Sequence, residues 1–360
     1  MIIGVPKEIK EHEYRVALLP SGVQSFVENR HRVLVQKDAG LGAGFSNDDY
    51  LAVGAELVDT PEEIFSQSEM ILKVKEPLPP ETKLMRDGQI MFTYFHFAAD
   101  KALIRGVQES GAVAVAYETL VDRQGTLPLL TPMSEIAGRM SIQKGALFLE
   151  KPNQGRGVIL SGIPGVPPAQ VLVLGGGIVG TNAAKMAAGL GASVTILDNN
   201  LHRLRYLADI MPSNVTTLFS TPSAVREKLP HADLVIGAVL IPGAKAPCLI
   251  RREDLQLMPT GSVIVDVAID QGGCIESSHP TTHSQPVFTE EGVIHYCVAN
   301  MPGAVPRTAT FGLCHATFPW ALKLANEGIT EAIQNSPEIA SAINISKGKI
   351  VHPAVAEAFE

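Results

Sequence analysis

Apolar runs alternate with helix-period segments along the whole chain, and this rhythm carries the first information about its fold. IIGV (2–5), RVLVQ (32–36), MILKVK (70–75), IMFTYFHF (90–97) and AVAVAY (112–117) are short apolar runs of the kind that form buried strands. Helical stretches lie between them: one opened by Ser21 as N-cap and running to about Asn29, then TPEEIF (60–65) and AADKALIRGVQESG (98–111). Strand–helix alternation with short links predicts a parallel, doubly wound sheet.

Gly125, Pro128 and Pro132 break the pattern over residues 118–133. TPMSEIAGRMSIQKGALFLEK (131–151) then reads as a long helix with Ser134 as candidate cap, ended by the Gly/Pro-rich NQGRGVILSGIPGVPP (153–168). A domain boundary is therefore expected near residue 130. A second series runs through QVLVLG (170–175), SVTILD (193–198), NVTTLF (214–219), ADLVIGAV (232–239) and SVIVDVAI (262–269), and continues through HYCVANMPGAVPRTAT (295–310). The helical segment TFGLCHATFPWALKLANEG (310–328) and the tail to Glu360 are expected to return to the first domain, making it discontinuous.

In the second series a buried strand runs directly into Gly175-x-Gly177-x-x-Gly180 and an Ala-rich helix. Gly175 permits the tight turn, Gly177 lets a pyrophosphate approach the backbone, and Gly180 lets helix and strand pack closely. The anion would sit on the N–H groups of the helix start, at Ile178 and Val179. Asp198 ends the next strand, 23 residues after Gly175. A carboxylate there accepts hydrogen bonds from ribose hydroxyls and repels a 2′-phosphate, which predicts NAD rather than NADP; Arg203 close by softens that preference. Ser220, Val239, Leu240, Val267, Asp270 and the loop Val298-Ala299-Asn300-Met301 lie at strand carboxyl ends, where ligands of such sheets bind. For Val239 and Leu240 ordinary core packing is an equal alternative. GLGAGF (40–45) also follows a strand, but it has Phe45 in place of the third glycine and no ribose acid, and reads as a loop.

The chain's 360 residues exceed one typical domain, and 46 % apolar against 18 % charged residues supports a large core. A net charge of −8 gives no basic footprint for nucleic acid. MIIGVPKEIKEHE lacks the apolar core of a signal peptide, and no stretch is long enough to span a membrane. Cys248, Cys274, Cys297 and Cys314 are scattered without metal-ligand spacing, which suits free thiols in a cytoplasmic protein and argues against a zinc site.

Oxidation of an amine needs a proton carrier, cations for a carboxylate and an anion near the amine. His96 sits near the end of a strand-like run, just before a helix, as a proton carrier would; a satisfied core histidine is the alternative. Lys73 and Lys75 share a face by strand alternation, and Lys75 is favoured because it precedes the turn Glu76-Pro77. Arg15 follows a charged loop and suits bidentate carboxylate binding, although an exposed salt bridge is the commoner role for such an arginine. Asp270 closes SVIVDVAI and could hold an ammonium, while Asp266 reads as buried structure. No substrate is named by these residues.

GVPKEIKEHEYRVALLP (4–20), KVKEP (73–77), FTYFHFAAD (92–100) and LTPMSEIAGRMS (130–141) resemble the alanine dehydrogenases, and the similarity extends over essentially the whole chain. The resemblance implies two doubly wound parallel-sheet (Rossmann-like) α/β domains joined by long helices. Residues 1–129 and 306–360 would form the substrate domain and 130–305 the NAD domain, with an active-site cleft between them. It also implies a cytoplasmic homo-oligomer, commonly a hexamer. Matched residue by residue, His96 is the proton donor/acceptor and Asp270 the second catalytic residue. Arg15 and Lys75 bind the substrate carboxylate and carbonyl. Ser134, Asp198, Arg203 and Ser220 contact the cofactor, and Met133 and Asn300 lie beside the reacting atoms. The implied reaction interconverts L-alanine with pyruvate and ammonia through iminopyruvate and a carbinolamine. A soluble NAD(H)-binding component of a proton-translocating transhydrogenase is the main rival; its counterparts generally lack the lysine and histidine present here as Lys75 and His96. A saccharopine-type dehydrogenase and a non-catalytic NAD sensor fit the same segments less well.

Overall fold

The computed structural model describes residues 1–97, 100–239 and 246–359. The chain divides into two compact units, Met1–Met133 with Gly303–Glu360, and Ser134–Pro302. In chain order the first unit contributes β1 (Ile2–Val5), β2 (Arg32–Gln36), β3 (Glu56–Val58), β4 (Met70–Leu72), β5 (Ile90–Thr93) and β6 (Val113–Ala116). The second contributes β7 (Gln170–Leu174), β8 (Ser193–Asp198), β9 (Val215–Phe219), β10 (Leu234–Gly237), β11 (Val263–Asp266), β12 (Val287–Glu290) and β13 (Val293–Tyr296). The chain then returns to the first unit with β14 (Ile343–Ser346) and β15 (Lys349–Ile350).

Among the described residues these strands form two sheets, β15-β14-β6-β5-β4-β1-β2-β3 and β12-β13-β11-β10-β7-β8-β9. β1 to β6 run parallel, as do β7 to β11 with β13. The fold is therefore α/β with parallel-dominated sheets, each carrying an antiparallel edge: β14 and β15 in one, β12 in the other. In both sheets strand order reverses beside the first strand, between β1 and β4 and between β7 and β10, and a crevice opens at the carboxyl ends there. The central strands are buried on both faces, which explains why VAVA of β6 and VIVD of β11 read as unbroken apolar runs rather than alternating ones.

Several boundaries differ from the sequence expectation for physical reasons. The first helix, Pro20–Glu28, is opened by Pro20, whose fixed φ suits the first turn, and Ser21 lies inside it. Ser134 likewise lies within the helix Thr131–Phe148 rather than capping it. The helix Lys101–Ser110 starts after Asp100, whose side chain accepts from the N–H groups of Ala102 and Leu103; residues 98 and 99 lie outside the described residues. MILKVK and IMFTYFHF stop being strands at Leu72 and Thr93 because side-chain carboxylates then take the backbone N–H groups, Glu8 that of Val74 and Glu118 those of Phe95 and His96. GLGAGF contains a short 3₁₀ turn, Leu41–Ala43. The last helical segment is longer than expected, Pro306–Asn335, and is broken at Gly328, where φ is 73°. The strands β3, β12, β14 and β15 were not anticipated: β3, β12 and β15 are short edge strands with little burial, and β14, though buried, is only four residues long and interrupted by Asn344.

All four cysteines are free thiols. Burial pushes Cys297 and Cys314 up to about 12. The folded chain therefore keeps both protons while the unfolded chain releases them from about pH 9. Their contribution to stability is complete below about pH 9 and is lost between about 9 and about 12, at up to about 1.4 kcal/mol per pH unit for each thiol. Unfolding by urea at a series of alkaline pH values is expected to show this decline, and Cys314→Ala to make it shallower. A slope identical in the two proteins contradicts the assignment.

Candidate functional site

The loop leaving β1 crosses to the loop leaving β4 at the point where strand order reverses in the first sheet. Glu8 drives this crossing: its buried carboxylate accepts from the N–H of Val74 at 2.6 Å, the N–H of Lys75 at 3.4 Å and Lys73 Nζ at 3.0 Å. Lys73 also donates to Glu81 at 2.7 Å. Burial pushes the Glu8 pKa up against the pull of Lys73, while for Lys73 burial is outweighed by the two carboxylates and its pKa rises. Strand alternation cannot relate the two lysines, because β4 has ended at Leu72. Lys73 is a structural ion-pair centre. Lys75 is buried in the adjoining turn, where its carbonyl accepts from Thr93 Oγ1 at 2.8 Å.

Arg15 follows on the same loop and is 2 % exposed, so the expected surface salt bridge is instead a buried one. Its Nε donates to Glu13 Oε1 at 2.6 Å and its second guanidinium nitrogen to Oε2, a bidentate pair, while Nη1 donates to Met133 Sδ at 3.1 Å. Burial opposes the charge, yet Glu13 outweighs it and holds Arg15 protonated. The structure thus joins Arg15 to Met133, two of the residues the sequence selected.

His96 lies past the end of β5 and is exposed, which rules out a core histidine. Its ring stacks on Tyr94 at a centroid distance of 5.7 Å and an interplanar angle of 7°. Tyr94 is itself buried, with its hydroxyl donating to the Leu129 carbonyl at 2.6 Å and its pKa raised by burial. β4 and β5 are neighbours, so Lys75 and His96 stand at adjacent carboxyl ends.

In the second unit the turn after β7 has the close contacts its glycines predict. A Cβ on Gly180 would lie 1.8 Å from the Gly175 carbonyl oxygen, and Gly175 has φ 99°. A Cβ on Gly177 would meet nothing within 4 Å, and no side chain caps the helix Ile178–Gly189 that begins after it. That open helix start fits a pyrophosphate. Asp198 accepts from Gly176 N at 2.7 Å and Asn200 N at 2.8 Å, and its remaining lone pairs suit ribose hydroxyls. Arg203 is committed elsewhere: it donates to the Gly176 carbonyl and, at 2.7 Å, to Thr181 Oγ1, and stacks on Tyr206. Ser220 follows β9, its N–H donating to the Asp198 carbonyl at 3.0 Å, and Val239 follows β10 beside Gly175.

Asp270 does not close a strand. β11 ends at Asp266, and Asp270 is exposed on the 3₁₀ turn Val267–Gln271. Asp266 is buried and accepts from the N–H groups of Ala268 and Cys274, bracing the turn that carries Val267 and Asp270. Val298 and Met301 are buried after β13, and Asn300 between them has φ 62°. Ser134 is half-buried on its helix, and Leu240 lies outside the described residues. Sequence reasoning missed Glu8, Glu13 and Glu118. The first two sit in a charge-rich segment that looks solvated, whereas Glu118, an acid just past an apolar strand, left a usable signal.

A glycine turn with an acid on the next strand, and a separate cluster of cations with a histidine, define an α/β oxidoreductase of the dehydrogenase type. Residues 4–137 match the alanine dehydrogenase/PNT N-terminal domain and residues 141–353 the C-terminal domain, and the chain belongs to this family. It is 53 % identical to an alanine dehydrogenase of Bacillus subtilis (strain 168), over 99 % of this chain and 94 % of that one. An alanine dehydrogenase of Methanococcus maripaludis is 52 % identical over 100 % of this chain and 97 % of its own. Among solved structures it is similar to an L-alanine dehydrogenase, with TM-score 0.96 and 51 % identity over 100 % of this chain and 99 % of that one. A transhydrogenase from Sinorhizobium meliloti has TM-score 0.83 and 25 % identity over 98 % and 100 %.

Glu13→Ala is expected to cost about 3–5 kcal/mol in urea unfolding, because it strands the buried Arg15 charge. Replacing both partners by leucine should cost much less. Equal losses in the two variants would contradict the ion-pair account.

Proposed function

We propose that the protein catalyses the NAD-dependent, reversible oxidative deamination of L-alanine to pyruvate and ammonia. L-alanine, NAD⁺ and water give pyruvate, ammonium, NADH and a proton. The observation that carries this reading is Lys75 and His96 at adjacent strand ends of the first sheet, in a chain about half identical to alanine dehydrogenases over its full length. The transhydrogenase-component reading is disfavoured by the lower identity to that structure, 25 % against 51 %.

Gly175, Gly177, Ile178, Val179 and Gly180 would hold the pyrophosphate and Asp198 the adenine ribose. With Arg203 engaged by Gly176 and Thr181, nothing in that turn favours a 2′-phosphate, which supports NAD. Ser134, Ser220, Val239, Leu240, Val267, Val298 and Met301 complete the proposed cofactor contacts. The bound nicotinamide supplies the hydride acceptor.

Arg15 and Lys75 hold the substrate carboxylate and the developing carbonyl, with Met133 and Asn300 beside the reacting carbon. Asp270 faces the ammonium. Loss of hydride from Cα leaves iminopyruvate; His96 takes a proton from the attacking water to give the carbinolamine and returns it to the departing amine. His96 is exposed, with its ring stacked on Tyr94, so its imidazole is accessible to substrate and water. We further propose that the protein is cytoplasmic, a reading the four free thiols support, and a homohexamer, as its resemblance to the alanine dehydrogenases implies. Among the described residues no helix is long and apolar enough to cross a membrane.

NADH absorbance should rise when purified protein is mixed with L-alanine and NAD, with pyruvate as product. His96→Ala should lower kcat by about 10²–10⁴-fold, and Lys75→Ala should abolish turnover. Binding of NAD without turnover, or unchanged activity in His96→Ala, would refute the mechanism. Asp198→Ala should raise KM for NAD and narrow its preference over NADP; an unchanged ratio places the ribose elsewhere.

A further inference from the structure

His96 stands on a turn that its own sequence does not favour. Its φ of 52° lies in the left-handed region, which costs a non-glycine residue energy unless the surroundings impose it. The segment FTYFHF holds neither glycine nor asparagine to ease that conformation. Packing cannot impose it from all sides, because His96 is exposed.

The restraint comes from another strand. Glu118 is the second residue past β6, which pairs with β5 in parallel register, Thr93 opposite Ala116. Its carboxylate accepts the N–H of Phe95 through both oxygens, at 3.0 and 3.2 Å, and the N–H of His96 through Oε1 at 2.6 Å. Two consecutive backbone donors are thus held by one side chain. Tyr94 completes the support from below: it is fixed by its bond to Leu129 and by an edge contact with Tyr117 at 5.0 Å, and it offers its face to the imidazole.

We propose that Glu118 is a positioning residue for the reaction, holding the His96 backbone so that the imidazole stays in place for proton transfer. The inference rests on the proton-carrier role given to His96 above. Glu118 acts through the histidine's backbone, so its loss should reduce kcat more than it disturbs the binding of alanine. A displacement of the order of 1 Å at a reacting group costs about 10²-fold in rate.

Three variants separate this role from others. Glu118→Gln keeps an acceptor oxygen at the same reach, Glu118→Asp keeps the charge but is one methylene shorter, and Glu118→Ala removes both. Steady-state kinetics with L-alanine and NAD would be paired with hydrogen–deuterium exchange of the peptide covering residues 90–97. The expected order of kcat is Gln above Asp, with Asp near Ala and about 10²-fold below the unmodified enzyme. KM for L-alanine should stay within about threefold, and amide exchange should be faster in Asp and Ala but not in Gln. Where the Ala variant fails to fold, the Gln and Asp pair carries the comparison. Asp outperforming Gln would overturn the proposal, since charge would then matter and placement would not. Unchanged exchange in Asp would overturn it as well. If the unmodified protein makes no NADH from L-alanine, the functional reading fails, while the exchange data still decide whether Glu118 holds the turn.

Discussion

At the reversal point of the first sheet a single buried carboxylate meets two incompatible demands. The loops leaving β1 and β4 must part there to open a crevice, yet their backbone N–H groups cannot be left without partners. Glu8 meets both demands by crossing the gap and accepting from Val74, Lys75 and Lys73. Lys75 is delivered to the rim as a result, and Lys73 is drawn down between Glu8 and Glu81. The arrangement tolerates little change: a charge buried this deeply is sustained only while its partners remain. Glu13 with Arg15, on the same loop, follows the same logic.

The second unit meets the equivalent demand with backbone instead of charge. Gly180 brings its helix so close to Gly175 that no side chain fits, and the opening left at Gly177 belongs to whatever binds the helix start. Asp198 and Arg203 hold Gly176 from opposite polarities, one accepting its N–H and the other donating to its carbonyl. The turn is fixed before any ligand arrives, so little ordering cost remains to be met on binding.

Much of this was legible in the chain and some was not, and the division has a physical basis. Parallel strands buried on both faces announce themselves as apolar runs, so β1, β2, β6, β7, β10 and β11 could be read directly. The glycine turn could be read because each glycine answers a steric need that only glycine meets. Strand ends could not: whether MILKVK stops at Leu72 depends on Glu8, more than sixty residues away in sequence. The difference between Lys73 and Lys75, invisible to periodicity, is likewise made by distant carboxylates. Asp270 was placed on a strand because nothing local reveals that Asp266 captures the N–H of Ala268 and ends it. The antiparallel strands were missed because β12 and β15 are half-exposed, and β14, though buried, is four residues long with Asn344 inside it, so none has a long apolar run.

The antiparallel hairpin β14–β15 pairs with β6, although some 230 residues separate them and all of Ser134–Pro302 lies between. During synthesis the amino-terminal strands emerge early but cannot finish their sheet, leaving β6 as a bare edge until residues 343–350 are made. The intervening unit, whose strands are contiguous in sequence, has everything it needs sooner. Birth order and completion order are thus inverted: the portion made first matures after the unit that follows it. In the interval its exposed edge is a vulnerable surface for pairing with a neighbouring nascent chain.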